Sequence, residues 1–293
     1  MSIWEHYHIA KSADEALQAL SEAQGKAQII AGGTDLLIDI QQGRHEEVLV
    51  FVDVNEIPDM NVIEIRDGEL FVGASVTHRA IAQSALIQEH AAALTTACGM
   101  IGGPQVRNTA TIGGNVAHAL PAADGAIALM ALNAKAQIVS TEGRRHVPIA
   151  ELYSGPGRNT LDPVREILFG FSLPLTQKGQ ASAFNRIMRP QGVAIAILNL
   201  AVWLNRQDET ISEVRIVAGP AGPVPRRMAA AEMILSGKAW ASKAIAAAHE
   251  AILNEALFRT SRHRATKEYR KDMAAVLLDK TLKEAWAAAG GCI

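Results

Sequence analysis

The 293 residues of this chain carry 28 lysines and arginines against 30 aspartates and glutamates, a net charge of −2, and no basic block that would attract a nucleic-acid backbone. Its longest apolar stretch, residues 193–204, is too short to span a bilayer. Two cysteines, Cys98 and Cys292, exclude a four-thiolate metal or iron–sulfur site within the chain, although a disulfide is arithmetically possible. We expect a soluble, cytoplasmic protein of two domains, or of one domain with lobes.

The first segment predicts a helix, a strand and a glycine turn. Ser12 and Glu15 stand at capping-box spacing before an apolar stripe, which indicates the helix. Residues 27–31 predict a strand and residues 48–54 a buried one. The pair Gly32-Gly33 would then lie at the C-terminal end of a strand, where open α/β sheets bind ligands.

From residue 62 the pattern favours antiparallel strands, because residues 62–65 and 69–74 flank Asp67-Gly68, a hairpin turn signal. Two helices and two further strands are predicted next, at residues 77–91, 121–132, 136–140 and 166–173. Residues 174–179 form the candidate linker. Beyond it we predict three strands and then three helices, at residues 182–187, 193–204, 210–218, 227–235, 242–257 and 265–288. Strands followed by helices indicate an α+β domain.

A second glycine pair, Gly113-Gly114, resembles the first in its surroundings. Each pair follows apolar or β-branched residues and leads to a polar side chain, Asp35 or Asn115. Since glycine lacks a Cβ, each pair can turn its N–H groups toward a ligand, and two facing turns would cradle a pyrophosphate. Either pair alone is more often a plain turn, and neither has the Rossmann spacing.

The remaining motifs leave alternatives open. Gly102-Gly103-Pro104 is typical of a helix terminator. Asp124 either benefits from a helix dipole in a first turn or accepts hydrogen bonds from ligand hydroxyls. Six histidines show no metal-ligand spacing, and structural roles are expected for them: His6, His8, His78, His90, His118 and His146. We predict no catalytic or metal-ligating side chain, so any redox chemistry requires a bound cofactor.

Several segments together resemble the FAD-binding subunit of molybdenum hydroxylases, most closely the separate flavin subunit of bacterial xanthine dehydrogenases. They follow one another over nearly the whole chain: AGGTDLL at 31–37, GPQVRNTATIGGN at 103–115, PAAD at 121–124, LYSGPGRNTL at 152–161, EIL at 166–168, FNRIMR at 184–189, PVPRR at 223–227 and RATKEYR at 264–270.

The resemblance implies an α+β fold. A two-lobed vanillyl-alcohol-oxidase-type (PCMH-type) FAD-binding domain would span residues 1–175, with lobes at 1–57 and 58–175. A C-terminal domain at residues 176–293 would combine a three-stranded antiparallel sheet with helices. The flavin would lie extended between the lobes.

The resemblance also implies the cofactor-binding residues. The first glycine segment would wrap the pyrophosphate through backbone N–H groups, and the second would clamp it from the other side. Asp124 would bond cofactor hydroxyls, Ile101 would lie beside the flavin, and Ile167 and Leu168 would line the cleft. The full set is Ile29, Ile30, Ala31, Gly32, Gly33, Thr34, Asp35, Leu36, Ile101, Ala110, Thr111, Gly113, Gly114, Asn115, Asp124, Ile167, Leu168 and Arg186.

Two positions depart from relatives of the animal xanthine dehydrogenase type, which have a lysine in place of Asn185 and an aspartate in place of Val193. Here Arg186 and Arg189 are the nearby cations. A cation near the N1–C2 carbonyl region would favour the anionic reduced flavin. The redox potential and the electron acceptor are therefore not carried over.

The function that the resemblance implies is electron transfer within a complex. A large molybdenum-cofactor subunit would hydroxylate a purine such as xanthine, a small iron–sulfur subunit would relay electrons, and FAD on this chain would pass them to NAD. One alternative is a flavin subunit serving an N-heterocyclic acid, an aldehyde or carbon monoxide. Another is a non-catalytic nucleotide-binding or assembly module.

Overall fold

The computed structural model describes residues 4–44, 48–190 and 195–292. Its strands are β1 (His6–Ile9), β2 (Ala27–Ile30), β3 (Val50–Asp53), β4 (Ile63–Arg66), β5 (Glu69–Gly73), β6 (Lys135–Ser140), β7 (Gly143–Pro148), β8 (Tyr153–Gly155), β9 (Arg158–Asn159), β10 (Glu166–Pro174), β11 (Gln180–Ile187), β12 (Leu198–Gln207), β13 (Thr210–Gly219), β14 (Arg226–Arg227) and β15 (Lys238–Ala239). Its helices are α1 (Ala13–Glu22), α2 (Leu36–Gln41), α3 (His78–Gln83), α4 (Ala85–His90), α5 (Ala92–Met100), α6 (Pro104–Thr109), α7 (Ile112–Ala117), α8 (Asp124–Ala131), α9 (Ala229–Leu235), α10 (Ser242–Glu255) and α11 (Lys267–Ala288).

The first lobe is a small parallel sheet in the order β1-β3-β2, with α1 packed against it. The predicted cap of α1 is confirmed, because the Ser12 hydroxyl accepts a hydrogen bond of 3.1 Å from the backbone N–H of Glu15. Leu17 and Leu20, on the apolar face of the helix, are buried. The loop after β2 carries the first glycine pair, so the predicted position at a strand's C-terminal end is also confirmed.

The second lobe is an antiparallel sheet in the order β4-β5-β10-β6-β7. Asp67 and Gly68 have φ of 52° and 79°, which forms the predicted hairpin between β4 and β5. The single helix predicted over residues 77–91 is wrong. Extended backbone at Ser84 divides this region into α3 and α4, and a non-helical conformation at Ala91 separates α4 from α5. Likewise α8 begins at Asp124, not at Pro121.

The C-terminal half consists of antiparallel strands β11, β12 and β13, as predicted, extended by the two-residue strands β14 and β15. Helices α9, α10 and α11 pack on this half, with Trp286 fully buried. The same strands also contact α5 and α8 of the first half, where Ser182 Oγ accepts a hydrogen bond of 3.1 Å from the N–H of Ala93. Residues 193 and 194 of a predicted strand, including Val193, lie outside the described residues.

Cys98 is buried and Cys292 is exposed, and both thiols are free, so the arithmetically possible disulfide is not formed. Within the described ranges, every helix is too short or too polar to cross a membrane.

Candidate cofactor-binding cleft

The two glycine segments meet in space. A Cβ atom placed on Gly32 would lie 2.4 Å from the carbonyl oxygen of Thr109 and 2.7 Å from Cα of Ala110. Real Cβ atoms do not approach backbone atoms this closely, so only glycine permits the contact at this position. The loop after β2 therefore packs directly on the chain entering α7, and the pairing of the two segments is a feature of the fold.

The first pair presents open backbone donors. Among the described residues, the N–H groups from Gly32 to Asp35 have no hydrogen-bond acceptor, whereas the carbonyls of Gly33 and Asp35 accept from Leu37 and Asp39 as α2 begins. Gly33 has φ of +64°, the left-handed conformation that glycine adopts without strain. Successive outward N–H groups of this kind form an anion-binding concavity.

The second pair does not present such donors. Gly113 and Gly114 lie in the first turn of α7, where the N–H of Gly113 donates to the carbonyl of Ala74 at 2.8 Å. The N–H of Gly114 donates to Thr111 Oγ1, the helix cap, at 3.1 Å. A Cβ on Gly113 would lie 2.6 Å from the same Ala74 oxygen. The expected second amide cradle is therefore wrong, because packing and capping already use both N–H groups.

A cleft runs along the contact between these segments as two adjoining cavities of about 410 and 220 Å³. The larger cavity is lined by Ile29, Ile30, Ala31, Gly32, Gly33, Thr34, Asp35, Leu36, Ile101, Ala110, Thr111, Gly114 and Asn115. The smaller cavity shares part of this lining and adds Gly113, Ile167 and Leu168. All the residues named as cofactor-binding from the sequence, except Asp124 and Arg186, thus line one continuous cleft.

Asp124 and Arg186 lie instead in a buried polar cluster between α8 and the C-terminal sheet. Arg186 Nη1 donates to Asp124 Oδ2 at 2.5 Å, with both side chains 5% exposed. The amide of Asn199 donates to Asp124 Oδ1, also at 2.5 Å. Burial raises the pKa of the Asp124 carboxyl, and Arg186 and Asn199 oppose that shift. This cluster connects the two halves of the chain and lines neither cavity.

His78 lines the larger cavity, although the sequence indicated only a structural role for it. The residue is 1% exposed, and its backbone N–H donates to the carbonyl of Ala110 at 3.0 Å. Its imidazole Nδ1 is buried and has no hydrogen-bond partner among the described residues. Burial, together with the charge of Arg107, lowers the pKa of His78 to about 4. The imidazole is thus neutral at physiological pH. The one available sequence signal was its place directly after Thr77, the residue that caps α3.

We expect His78 to make stability depend on pH. The unfolded chain gains a proton near pH 6.5, whereas the folded chain gains it only near pH 4. The free energy of unfolding should therefore fall as the pH falls from 6.5 to 4, by about 3 kcal/mol in total. Urea unfolding of the natural chain and of His78→Gln across this range tests the expectation. Equal pH dependence in the two proteins would contradict it.

Comparison with known proteins agrees with this geometry. Residues 3–176 match the family described as the FAD binding domain in molybdopterin dehydrogenase, and residues 182–285 match the CO dehydrogenase flavoprotein C-terminal domain. The chain belongs to the FAD-binding subunits of the molybdenum hydroxylases. Its fold is accordingly the two-lobed PCMH-type FAD-binding domain followed by the flavoprotein C-terminal domain of that family.

Individual relatives extend over almost the whole chain. The xanthine dehydrogenase FAD-binding subunit of Escherichia coli O157:H7 is 32% identical over 288 residues, 97% of each chain. The carbon monoxide dehydrogenase medium chain of Hydrogenophaga pseudoflava is 28% identical over 282 residues, 96% of each. A solved structure of carbon monoxide dehydrogenase from H. pseudoflava superimposes with a TM-score of 0.91 at 28% identity, covering 97% of both chains.

Proposed function

We propose that this oxidoreductase subunit carries FAD in the cleft and transfers electrons within a multi-subunit molybdenum hydroxylase. The observation that carries the proposal is the run of N–H groups from Gly32 to Asp35, which have no acceptor among the described residues and lie in a loop that Gly32 packs against the Thr109–Ala110 backbone. Such donors suit the oxygens of a pyrophosphate. When bound, FAD supplies the ability to take up electrons singly and to release them as a pair.

The other cleft residues have distinct parts in this proposal. The cleft walls formed by Ile167 and Leu168, which are 1% and 6% exposed, exclude water from the flavin. Thr111 and Asn115 border the pyrophosphate from the α7 side, with Asn115 held in place because its Oδ1 accepts a hydrogen bond from the N–H of Ala126. Asp124 and Arg186 act by fixing the C-terminal half against the flavin domain.

The proposed partners are a large molybdenum-cofactor subunit and a small iron–sulfur subunit. They are supported by relatives that are named as subunits or medium chains of larger enzymes. We propose a purine such as xanthine as the substrate of the partner and NAD as the acceptor. The carbon monoxide dehydrogenase relative supports the alternative of another substrate almost as strongly, at 28% against 32% identity.

Purification of the full chain tests the flavin assignment. A yellow protein that releases one FAD per chain on acid precipitation is the expected result. A colourless protein that takes up no FAD when the cofactor is supplied would instead indicate the non-catalytic nucleotide-binding or assembly module, which has lost flavin. Co-purification with subunits containing molybdenum and iron supports the complex.

The substrate and acceptor are tested separately with the purified complex. Xanthine, carbon monoxide and an N-heterocyclic acid are each supplied together with NAD, and formation of NADH is followed. Of the three substrates, only xanthine is expected to support the reduction of NAD to NADH. Turnover that proceeds with a dye but not with NAD would show that the acceptor is wrong and would leave the flavin assignment intact.

We also propose a division of the chain between residues 175 and 176, and lobes at 1–57 and 58–175. The division is supported by the connection between β10, which ends at Pro174, and β11, which begins at Gln180. The lobes are supported by the separate sheets that contain β3 and β4. On the composition of the chain, we propose a cytoplasmic location.

A further inference from the structure

A separate crevice of about 380 Å³ lies where the two halves of the chain meet. It is bordered by the end of α4, the residues after α8, the connection from β10 to β11, and strands β12 to β14. Its lining includes His90, Leu132, Leu175, Trp203, Glu213 and Arg215. This set has no member in common with the lining of the cofactor cleft.

Arg215 is the unusual group in this crevice. It is 7% exposed, and its guanidinium lies over the Trp203 ring with Cζ 3.5 Å from the ring centroid. Its guanidinium donates no hydrogen bond to any described residue, and the Nε atom is buried without a hydrogen-bond partner among them. The Glu213 carboxylate forms a long ion pair with that Nε, at 3.5 Å, but its side chain is 59% exposed and accepts no hydrogen bond from the guanidinium. A buried cation with unused donors is costly unless an acceptor joins it.

The second cation of the crevice is already neutralised. Arg227 donates from Nε and Nη2 to the two carboxylate oxygens of Glu232, at 2.9 and 2.7 Å. Glu232 also accepts from the backbone N–H of Ile216 at 2.8 Å, so it is fixed on this side of the sheet. Another polar atom at the crevice, Nδ1 of His90, is buried and has no hydrogen-bond partner within the described residues. Arg215 is therefore the guanidinium available to a ligand, because its ion pair with the exposed Glu213 involves no hydrogen bond and can be displaced.

We propose that this crevice binds a small organic carboxylate, whose two oxygens pair with the guanidinium of Arg215. A planar guanidinium offers parallel N–H donors that match a carboxylate in a bidentate pair. The indole of Trp203 holds the plane of the guanidinium through cation–π contact. Leu132, Pro174 and Leu175 form an apolar wall for a short hydrocarbon body. The site is independent of FAD and goes beyond the proposed function.

Butyrate is a suitable probe, with n-butanol as its uncharged counterpart. Calorimetric titration of the full, FAD-loaded chain should show saturable binding of butyrate and none of n-butanol, and butyrate should raise the melting temperature. Arg215→Gln and Arg215→Lys should each weaken butyrate binding at least tenfold. Lysine keeps the positive charge but lacks the two parallel N–H donors that pair with a carboxylate. Glu213→Gln should tighten binding several-fold, since it removes the competing carboxylate. Arg79→Gln, outside all three cavities, should change nothing.

Several results would overturn the proposal. These are absence of saturable butyrate binding to the natural chain, equal binding by natural and Arg215→Gln chains of equal melting temperature, or unchanged binding in Glu213→Gln. The titration is repeated on the purified complex. If the isolated chain binds butyrate and the purified complex does not, a neighbouring subunit fills the crevice. That result would also overturn the proposal that the crevice binds a free carboxylate. Flavin content is expected to be equal in all variants, so failure here is distinguishable from failure of the flavin assignment.

Discussion

Replacement of Gly32 by valine is expected to weaken FAD binding about 100-fold. A Cβ at this position would lie 2.4 Å from the Thr109 carbonyl oxygen, so the β2 loop must move away from the chain entering α7. The N–H groups from Gly32 to Asp35, which have no acceptor in the described part of the chain, would then leave their positions at the cleft. Loss of two charge-assisted hydrogen bonds, at about 1.5 kcal/mol each, weakens binding about 100-fold. The FAD released per purified chain measures the effect.

Two further glycine variants serve as comparisons for Gly32→Val, one as a control and one with a smaller expected effect on FAD binding. Gly99→Ala, in α5, is the matched control, because its new Cβ would make only an ordinary contact of 3.9 Å with Ala82. Gly114→Ala should weaken FAD binding less than Gly32→Val, since its Cβ would lie 3.2 Å from the Thr111 hydroxyl and its N–H is already used. Full flavin content in Gly32→Val would refute the role of the contact between the two glycine segments. A circular dichroism spectrum like that of the natural chain confirms that each variant is folded.

Elements with a local signal were predicted correctly from the sequence. The Ser12 cap and the Asp67-Gly68 turn each depend on residues within four positions of one another, so neighbouring residues suffice to specify them. The breaks at Ser84 and Ala91 lack such a signal, because the alanine-rich stretch around them favours continuous helix. Ala91 is fully buried, and α3, α4 and α5 pack on one another, so residues 77–91 form the two helices α3 and α4 and a third, α5, follows them.

In the cleft, too, features that depend on tertiary packing could not be predicted from neighbouring residues. Glycine is unfavourable inside helices, so Gly113-Gly114 favoured a turn, yet the fold uses the missing Cβ of Gly113 for contact with Ala74. His78 was missed since its burial and its place beside the cleft arise only when α3 packs on the segment at Ala110. The rest of the cleft lining was predicted from the family resemblance, because the spacing of these residues along the chain does not indicate that they lie together.

Replacement of Arg186 by methionine is expected to lower the free energy of unfolding by about 3–5 kcal/mol, as for a buried ion pair that loses one partner. Asp124 would remain 5% exposed with the Asn199 amide as its remaining side-chain donor. Lys283→Met is the control: it breaks the ion pair with Asp279, whose partners are 44% and 37% exposed. Such an exposed pair contributes about 0.5 kcal/mol or less. Urea unfolding at neutral pH measures both variants.

The double variant Arg186→Met/Asp124→Leu separates charge from packing. Removal of both charged partners leaves no uncompensated buried charge at this pair. The double variant should therefore regain most of the free energy of unfolding that Arg186→Met loses. If the double variant is as unstable as Arg186→Met, the cluster stabilises the protein by shape and not by compensation of charge. If Arg186→Met costs no more than Lys283→Met, the pair does not hold α8 to β11. Because this pair crosses from the flavin domain to the C-terminal sheet, Arg186→Met should also release FAD more readily, and the double variant should retain it.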